Sequence, residues 1–590
     1  MRGILAYIRE VIYLMGENRK RIAWFLILFL ISSLLELVGL GVIGPYLFLV
    51  MNQNMMMDGV IGQWLSEVGV NVAASEALII VSVLIVTVFI LKMVAAVYTN
   101  WEILVYSRKC RVDLQGKLMQ AYQRQPYVEY IQRNSAEYLK NIHDATGHYV
   151  STVQTLLRML SDGFVSLLIF IYLAYTNTII LTGLALLLAT FFYVYLRMFK
   201  RKSKQYGEQA AQAAQQIIQS IHEGMTGFKE LKILGKESYF HAALIDGASR
   251  MSDKWAKATL ISMLPRFFLE FLLVSLVVFL VLATLASGEQ LNSVLPTIGV
   301  FALASLRLVP AANLLIGSVS KLSFNRHAVS TLYRDLVQVE KYLQSGTLNS
   351  TQSIQPSSKF NKLSLENVGF HYSTTTNWTL RDLSLSIKAG ESIGIIGESG
   401  GGKTTLIDVM LGLLEPQAGM ITFNNIPLQQ ALPEWRSQVA YLPQEIFIID
   451  ATLRENIALG VSINEIDESI IQSAISQTQL QVLISDLPNG LDTRLGEKGV
   501  RLSGGQRQRV ALARAFYFER DVLVLDEATS ALDNETEQEI IDEIRLLKGQ
   551  KTMIIVAHRL TTVQHCDRIY RLKGGRIVSV GTYAEVVGRQ

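Results

Sequence analysis

Long apolar runs dominate roughly the first 320 residues of this 590-residue chain. Six of them reach the length of about 20 residues that a helix needs to cross a bilayer. They lie at about 22–50, 77–101, 153–175, 179–198, 259–286 and 293–317. Only Thr176, Asn177 and Thr178 separate the third run from the fourth, which predicts a tight helical hairpin. We therefore predict an α-helical domain with six membrane spans over residues 1–325.

Basic residues fall on one side of these predicted spans. Arg19, Lys20 and Arg21 precede the first span, and basic clusters at 108–117 and 200–204 follow the second and the fourth. Neither Lys nor Arg occurs in the connecting segments 51–76, 176–178 and 287–292. By the positive-inside rule, the N-terminus, both long loops and the C-terminal region are cytoplasmic.

The two long cytoplasmic segments, 102–152 and 199–258, are rich in helix formers and contain no long apolar run. Polar helical extensions of the spans explain them better than loops of that length. In the first 20 residues, apolar side chains at helical spacing predict an amphipathic helix on the inner membrane surface. A cleaved signal peptide fits less well, because the following apolar run is too long and no small-residue cleavage site closes it.

Composition changes after the sixth span. A polar linker, predicted at 326–361, precedes a domain with a soluble profile at 362–590. The formal net charge of +4 is small, and nothing in its distribution indicates nucleic-acid binding. Cys110 and Cys566 lack the spacing of a disulfide framework or a zinc site.

The soluble domain contains a phosphate-binding pattern, in which an apolar strand enters a glycine-rich turn and leaves as a helix. The predicted loop residues are Gly397, Ser399, Gly400, Gly402, Lys403, Thr404 and Thr405. In G-x-x-x-x-G-K-[ST] the glycines let backbone N–H groups approach phosphate, and the lysine reaches the β and γ phosphates. The hydroxyl of Thr404 is then a ligand for Mg²⁺.

A second apolar strand, 522–525, ends in Asp526 and Glu527. A carboxylate at the end of a strand can hold Mg²⁺, and a neighbouring one can polarise an attacking water. Together with the phosphate loop, this pair predicts a hydrolytic site that uses Mg²⁺.

These motifs and several others resemble the nucleotide-binding domain of the ATP-binding cassette (ABC) superfamily. The family signature stands here as Leu502, Ser503, Gly504, Gly505 and Gln506. Four further family residues are Gln444 in YLPQE, His558 in VAHRL, Asp533 in SALD and Tyr372 in FHYS. Their order along one domain identifies residues 362–590 as an α/β P-loop NTPase of this superfamily.

The resemblance implies a role for each of these residues. Glu527 orients the water, His558 positions the γ-phosphate, and Gln444 links Mg²⁺, also held by Asp526, to the membrane domain. Tyr372 stacks on adenine, and Asp533 belongs to the nucleotide site. The segment from Ser503 to Gln506 closes on ATP bound by a partner subunit.

With one such domain per chain, the resemblance implies a dimer, and the intact motifs favour a homodimer over a pair with a degenerate partner.

Six spans ahead of one cassette resemble the exporter class of the superfamily. Gly496 and Glu497 match the exporter cross-talk loop, and the turns near 125–131 and 227–236 resemble the short helices that touch the cassettes. The resemblance implies an ATP-driven transporter in which closure of the cassettes reorients the spans. A bacterial inner membrane is the expected location.

Charges inside the predicted spans are the best internal indication of the cargo, because each is costly to insert. They are Glu36, Lys92, Arg158, Asp162, Arg266, Glu270 and Arg307. Arg158 with Asp162, and Arg266 with Glu270, are spaced for mutual pairing on one helix face. Lys92 and Arg307 have no such local partner and suit a phosphate or pyrophosphate group, although Lys92 could also snorkel or pair with Glu36. With Arg266, they are the predicted substrate residues.

The first span, the 26-residue outer segment with a helix-like stretch near 60–68, and the basic residues of spans two, five and six resemble bacterial lipid-linked oligosaccharide flippases. That resemblance implies a polyprenyl-pyrophosphate glycan as substrate. It departs at Lys92, where an arginine is expected. An exporter of a peptide or of another amphipathic lipid is the alternative. An ATP-gated channel is a further one, which the intact Glu527 disfavours.

Overall fold

The chain forms two compact units in the computed structural model. The residues described are 2–51, 74–176, 178–286, 291–344, 359–372, 377–527, 538, 541–542, 545–557 and 559–587. The first unit comprises Met1–Gln125 and Gln132–Tyr342. The second comprises Pro126–Ile131 and Leu343–Gln590. The short segment Pro126–Ile131 thus leaves the first unit and joins the second.

The described part of the first unit is helical. Its helices are α1 (Arg2–Met15), α2 (Ile22–Met51), α3 (Ala74–Arg124), α5 (Ser135–Lys140), α6 (Thr146–Thr176), α7 (Thr178–Thr226), α8 (Phe228–Leu234), α9 (Glu237–Ala286) and α10 (Leu291–Gln344). A 3₁₀ turn, Gly16–Arg21, joins α1 to α2, and a π-helical turn, Asn141–Ala145, joins α5 to α6. The remaining helix, α4 (Tyr127–Ile131), lies in the second unit.

Each predicted span lies inside one long helix, and these helices are α2, α3, α6, α7, α9 and α10. The polar segments predicted to be helical extensions do continue α3, α7 and α9. Within the described residues, two stretches, Leu5–Gly39 and Leu78–Arg124, are long and apolar enough to cross a membrane. Crossing by all six helices stays a prediction.

The observed ends of the helices can be compared with the predicted hairpin and the predicted linker. Helix α6 ends at Thr176 and α7 begins at Thr178, so the break between the two helices falls at the expected place. Residues 326–344 fall in the predicted linker but continue α10. They do so because Val329, Leu332 and Leu336 recur at helical spacing and are buried. The stretch near 60–68 lies outside the described residues, as does the part of the linker from 345 to 358.

The second unit contains two sheets flanked by helices. Its strands are β1 (Lys362–Phe370), β2 (Leu380–Lys388), β3 (Ser392–Gly397), β4 (Ala418–Phe423), β5 (Ile426–Pro427), β6 (Val439–Leu442), β7 (Val522–Asp526), β8 (Thr552–Val556), β9 (Arg568–Lys573) and β10 (Arg576–Gly581). Its helices after α4 are α11 (Lys403–Met410), α12 (Leu432–Gln438), α13 (Leu453–Ile457), α14 (Glu468–Gln477), α15 (Gln481–Asp486), α16 (Gly504–Tyr517) and α17 (Tyr583–Val586).

The larger sheet has the strand order β10-β9-β3-β8-β7-β6, and the smaller one is β2-β1-β4-β5. In the larger sheet, β3 is parallel to β8 and β9, and β7 is parallel to β6 and β8. Strand β7 is buried along its whole length, as its continuous apolar run predicts. Because these strands are parallel, β3, β6, β7 and β8 all end at the same edge of the sheet.

Candidate functional site

The strand register brings three predicted motifs, the phosphate loop, the Gln444 segment and the Asp526–Glu527 pair, to one edge of the larger sheet. Leu525 pairs with Leu442, and Asp526 and Ile395 both pair with Val556. The phosphate loop follows Ile395, and Gln444 follows Leu442 as an exposed residue. His558 follows Val556 in the chain, but His558 and Asp533 lie outside the described residues.

The phosphate loop needs glycine for two different reasons. Gly402 precedes α11 with φ +97°, a backbone conformation that L side chains rarely adopt. Gly397 has no such torsional demand, but a Cβ atom there would lie 2.3 Å from the carbonyl oxygen of Leu572. Both positions therefore exclude side chains, which leaves the backbone N–H groups at the start of α11 directed to a bound phosphate.

Lys403 is buried, and its ammonium group donates to the carbonyl oxygens of Gly397 (2.9 Å) and Glu398 (3.2 Å). The lysine is thus held across the loop that a phosphate would occupy. The next residue, Thr404, is exposed, so its hydroxyl is accessible to a metal ion. Thr405 is buried, and its Oγ1 lies 3.2 Å from the hydroxyl of Tyr372.

Tyr372 is the predicted adenine-stacking residue. Its ring packs edge-on against Phe370, with ring centroids 5.0 Å apart. Since its hydroxyl contacts Thr405, the ring is placed beside the phosphate loop. Stacking on adenine stays a prediction.

The two acidic residues at the end of β7 have different surroundings. Asp526 is buried and accepts a hydrogen bond from the hydroxyl of Tyr441 at 3.2 Å. Glu527 is half-buried, has φ +52° and donates its backbone N–H to the carbonyl of Val556 at 3.0 Å. A left-handed backbone is uncommon for glutamate and persists only where the surrounding structure holds the residue in place.

A third carboxyl, Asp408 of α11, belongs to the same site. Burial, together with the negative charge of Asp526, raises the pKa of Asp408 to about 6. Two neighbouring carboxyls that repel each other favour a divalent cation between or beside them. The oxygen donors Thr404, Gln444 and Asp526 suit Mg²⁺, which prefers hard oxygen ligands.

The signature segment lies at the start of α16. Ser503 caps this helix: its Oγ accepts from the backbone N–H of Gln506 (3.2 Å), while Oε1 of Gln506 accepts from the backbone N–H of Ser503 (2.8 Å). This reciprocal pair is a capping box. Leu502 packs in a core built by α13, α14 and α16, whereas the phosphate-loop helix packs in another core with β1 and β2. The signature and the phosphate loop of one chain therefore belong to separate packing units.

A cavity of about 620 Å³, whose surface is part polar and in larger part apolar, lies in the first unit. Helices α6, α9 and α10 line it, mainly with serine, threonine, asparagine and charged side chains. Arg158, Asp162 and Lys321 lie on its wall, with His148 and Asp144 at one end. Burial and the nearby positive charge of Arg158 lower the pKa of Lys321. In the part of the chain that the structure describes, Lys321 forms no ion pair.

The three predicted substrate residues have other environments. Lys92 forms an ion pair with Glu36 at 2.9 Å, and the two side chains are only 16% and 15% exposed. Arg266 pairs with Glu270 at 3.0 Å on an exposed face of α9. In both cases the structure shows the mutual pairing that the sequence left open as the alternative. Arg307 lies in α10, and its side chain is outside the described part of the structure.

Several residues near these sites carried no motif signal. Asp408 looks like an ordinary helix residue in the sequence, and Tyr441, although it begins YLPQE, carried no predicted role; only the folded unit brings both to Asp526. Lys321 follows the sixth apolar run, so it is not counted as an intramembrane charge. A signal was available for Arg158, whose charge interrupts the third run, but its spacing to Asp162 suggested a simple pair.

Two family models match the chain, "ABC transporter transmembrane region" at residues 23–306 and "ABC transporter" at residues 380–530. The chain is 31% identical over 470 residues to the ATP-dependent lipid A-core flippase of Cupriavidus metallidurans, covering 78% of this chain and 77% of that one. It is 27% identical to the flippase of the same name from Saccharophagus degradans, covering 97% and 96%. A solved bacterial Atm1-family ABC exporter with ATP bound shares the fold, with a TM-score of 0.74, 19% identity and 97% of both chains covered.

Proposed function

Because this chain belongs to the ABC transporter family, as an exporter-type half-transporter whose ATPase drives transport, we propose that it flips a phosphorylated glycolipid across a bacterial inner membrane. The observation that carries this proposal is the cavity between α6, α9 and α10, which combines charged and hydroxyl side chains with apolar surface. Its lining comes from the ends of the third, fifth and sixth predicted spans that the positive-inside rule assigns to the cytoplasmic side. A lipid head group entering from the cytoplasmic leaflet would reach this level first.

The cavity chemistry suits a head group with both phosphate and hydroxyl groups. Arg158 offers a planar guanidinium that can bind two phosphate oxygens at once, and Lys321 adds a second positive charge nearby. Asp162 offsets part of this charge, so the cavity is not strongly cationic. Its serine, threonine and asparagine side chains can hydrogen-bond sugar hydroxyl groups.

Two lipids share this chemistry. The sequence resemblance supports a polyprenyl-pyrophosphate oligosaccharide, and the names of the curated relatives support a lipid A-core glycolipid. Both carry phosphate next to sugar at the membrane surface. The shared property, a phosphorylated glycan head on a long apolar anchor, is the substrate class that we assign.

ATP hydrolysis at the nucleotide site supplies the energy for transport. The phosphate loop and Lys403 bind the β and γ phosphates, and Glu527 orients the attacking water. Thr404, Asp526 and Gln444 would hold Mg²⁺, which neutralises the charge that develops on the phosphates. His558 positions the γ-phosphate, and Tyr372 stacks on the base.

We assign a homodimer as the working assembly. The signature helix packs in a different core from the phosphate loop, so the signature of one chain can close on the nucleotide of another. Helix α8 adds a second argument, because its Phe228, Ile233 and Leu234 are 58%, 77% and 67% exposed. Large apolar side chains grouped on one short helix are typical of a surface that docks on a partner.

The test uses the purified full-length protein in proteoliposomes with three labelled lipids. One is a polyprenyl-pyrophosphate oligosaccharide, the second a lipid A-core glycolipid, and the third phosphatidylglycerol, which has phosphate but no glycan. We expect ATP-dependent movement of at least one glycolipid and none of phosphatidylglycerol, with Glu527→Gln inactive. Healthy ATP hydrolysis without movement of either glycolipid would contradict the proposal and favour a peptide or another lipid.

Variants then test the cavity. Arg158→Ala and Lys321→Ala should each raise the lipid concentration for half-maximal ATPase stimulation by about tenfold, since each removes a charge-assisted hydrogen bond. Arg250→Ala is the matched control, because Arg250 also lies on the first unit but pairs with Asp246 on an exposed face. If Lys92→Ala or Arg266→Ala instead has the larger effect, the substrate lies at the sequence-predicted residues and not in this cavity.

A further inference from the structure

A buried carboxylate near the end of α10 accepts hydrogen bonds from three separate segments. Asp335 is 8% exposed. Its Oδ2 accepts from the hydroxyl of Tyr122 at 2.5 Å, from Nδ2 of Asn141 at 3.0 Å and from Nη2 of Arg133 at 3.1 Å. We call these four residues the Asp335 cluster.

The cluster is closed by contacts among its donors. Nδ2 of Asn141 also lies 3.2 Å from the hydroxyl of Tyr122. Arg133 donates to Glu137 at 2.8 Å and lies over the rings of Tyr122 and Tyr138, at 5.9 and 5.2 Å from their centroids. Burial and the charge of Asp335 raise the pKa of Tyr122, so its hydroxyl stays a donor. A buried carboxylate satisfied in this way resists displacement, because moving one partner leaves a charge unpaired.

The three donors flank the segment that joins the second unit. Tyr122 is in the last turn of α3, Arg133 follows α4, and Asn141 begins the π-helical turn before α6. Between them, Pro126–Ile131 belongs to the second unit. There, Tyr127 and Val128 pack against the core that contains the phosphate-loop helix.

The same segment is close to the hydrolytic site inside the second unit. Burial and the negative charge of Asp408 raise the pKa of Tyr127, and Tyr372 adds to that shift. Tyr127 also contributes to the raised pKa of Tyr441, whose hydroxyl donates to Asp526. A change at the nucleotide site therefore has a short physical route to Pro126–Ile131.

Asp335, the acceptor of the cluster, lies near the second place where the chain passes from the first unit to the second. Asp335 is in the last part of α10, shortly before the chain enters the second unit at Leu343. One carboxylate thus connects both flanks of the Pro126–Ile131 segment to the helix that leads into the nucleotide domain.

We propose that Asp335 is a positioning residue for the coupling of ATP hydrolysis to movement of the membrane helices. The Asp335 cluster makes the flanks of Pro126–Ile131 and the end of α10 move as one body. A displacement of Pro126–Ile131, or of the chain after α10, is therefore transmitted to α6 and α10 together. This inference does not depend on which lipid is transported, since it concerns only the ATP-driven conformational change of the transporter.

The test measures ATP hydrolysis and nucleotide-dependent hydrogen exchange on the full-length protein in lipid nanodiscs, without any transported lipid. Exchange is compared between the nucleotide-free protein and the protein trapped with ATP and vanadate. The variants are Tyr122→Phe and Asp335→Asn. Tyr106→Phe is the matched control, because Tyr106 is a buried tyrosine on the same helix that donates to the carbonyl of Asn18 at 3.0 Å.

We expect Tyr122→Phe and Asp335→Asn to keep basal ATP hydrolysis within about twofold of the parent, because neither residue touches the nucleotide site. The change in exchange at 140–155 and 321–342 on trapping should fall by at least about half, while the change within the second unit persists. Tyr106→Phe should retain both changes.

Two results would overturn the proposal. One is a full exchange response in Asp335→Asn. The other is a parallel loss of ATP hydrolysis, thermal stability and exchange response, which would make the cluster a structural brace. Because no substrate is used, neither result depends on whether the lipid assignment is correct.

Discussion

At the scale of single residues, the carboxyls of the nucleotide site differ in what surrounds them. Asp526 is buried beneath the hydroxyl of Tyr441, whereas Glu527 is half-buried and turned by its left-handed backbone. A metal ligand needs a fixed, desolvated position, and a residue that orients water needs access to solvent. The environments therefore match the roles proposed for Asp526 and Glu527.

Glu527→Gln should preserve ATP binding but lower turnover by at least about 100-fold, because the amide cannot orient or accept a proton from water. The measurements are steady-state ATPase activity and the amount of ATP retained after rapid desalting. Glu445→Gln is a control with the same chemical change at an exposed glutamate. Turnover at the parent rate would exclude Glu527 as the base.

Asp408→Asn should stabilise the protein without nucleotide or Mg²⁺ at neutral pH. The pKa of Asp408 is raised from 3.8 to about 6, so the folded protein binds more protons than the unfolded chain between these values. Stability therefore falls as pH rises through this window and stays lower above it. The substitution should add on the order of 1 kcal/mol at about pH 7.5, a small value because the carboxyl is partly solvated.

The check is the thermal midpoint of the parent and Asp408→Asn proteins at two pH values. The gain should be present at about pH 7.5 and absent at about pH 4.5, where Asp408 is protonated and uncharged. An equal gain at both values would assign the effect to packing and not to charge.

Residues inside a motif were predictable because local chain geometry creates their function. The glycines of the phosphate loop and Lys403 act through a strand, a turn and a helix that are contiguous in sequence. The parts played by Asp408 and Tyr441 were not predictable. Tyr441 meets Asp526 through the pairing of β6 with β7, and Asp408, on α11, approaches Asp526 only in the folded unit.

At the scale of elements, helix α16 combines a structural and a chemical task at one residue. Ser503 caps the helix, and it is also the signature serine expected to contact ATP from a partner subunit. A substitution that removes the cap therefore disturbs both tasks, and only a residue that keeps the cap can separate them.

Three substitutions at Ser503 separate its role as helix cap from its expected contact with ATP. Ser503→Ala should lower the free energy of unfolding by about 1 kcal/mol through loss of the cap, whereas Ser503→Thr and Ser503→Asp should largely retain it. ATPase activity should survive best in Ser503→Thr and be lost in Ser503→Asp, because a carboxylate repels the γ-phosphate. Thermal melts and ATPase rates give both quantities. A fully active Ser503→Asp protein would place the signature away from the phosphate.

The sequence predicted that the long helices exist, but it did not predict where all of them end. Apolar runs fix where helices must occur, yet α10 continues through 326–344 with a buried stripe in place of a continuous run. The composition there resembles a linker because most of its side chains are polar. Burial of one helical face, not mean hydropathy, extends the helix.

At the scale of the whole molecule, the proposed homodimer is the property with the widest consequences. Native mass spectrometry of the Glu527→Gln protein with ATP should give twice the mass of one chain and two bound nucleotides per dimer. In the proposed homodimer, the exposed apolar side chains of α8 would supply part of the interface. A monomer that retains ATP with full affinity would contradict the assignment, and a requirement for a second, different chain would replace it by a heterodimer.

The sequence by itself determined the class of each half: apolar runs require helices, and contiguous motifs place glycine, lysine and carboxylates where a phosphate binds. Only the tertiary structure decided which charges face one another. Lys92 meets Glu36, Arg158 shares a cavity with Lys321, and Asp335 joins three segments from distant parts of the chain. Spans that are apolar on every face carry no signal for their rotation, so the partner of each charge depends on how the helices pack.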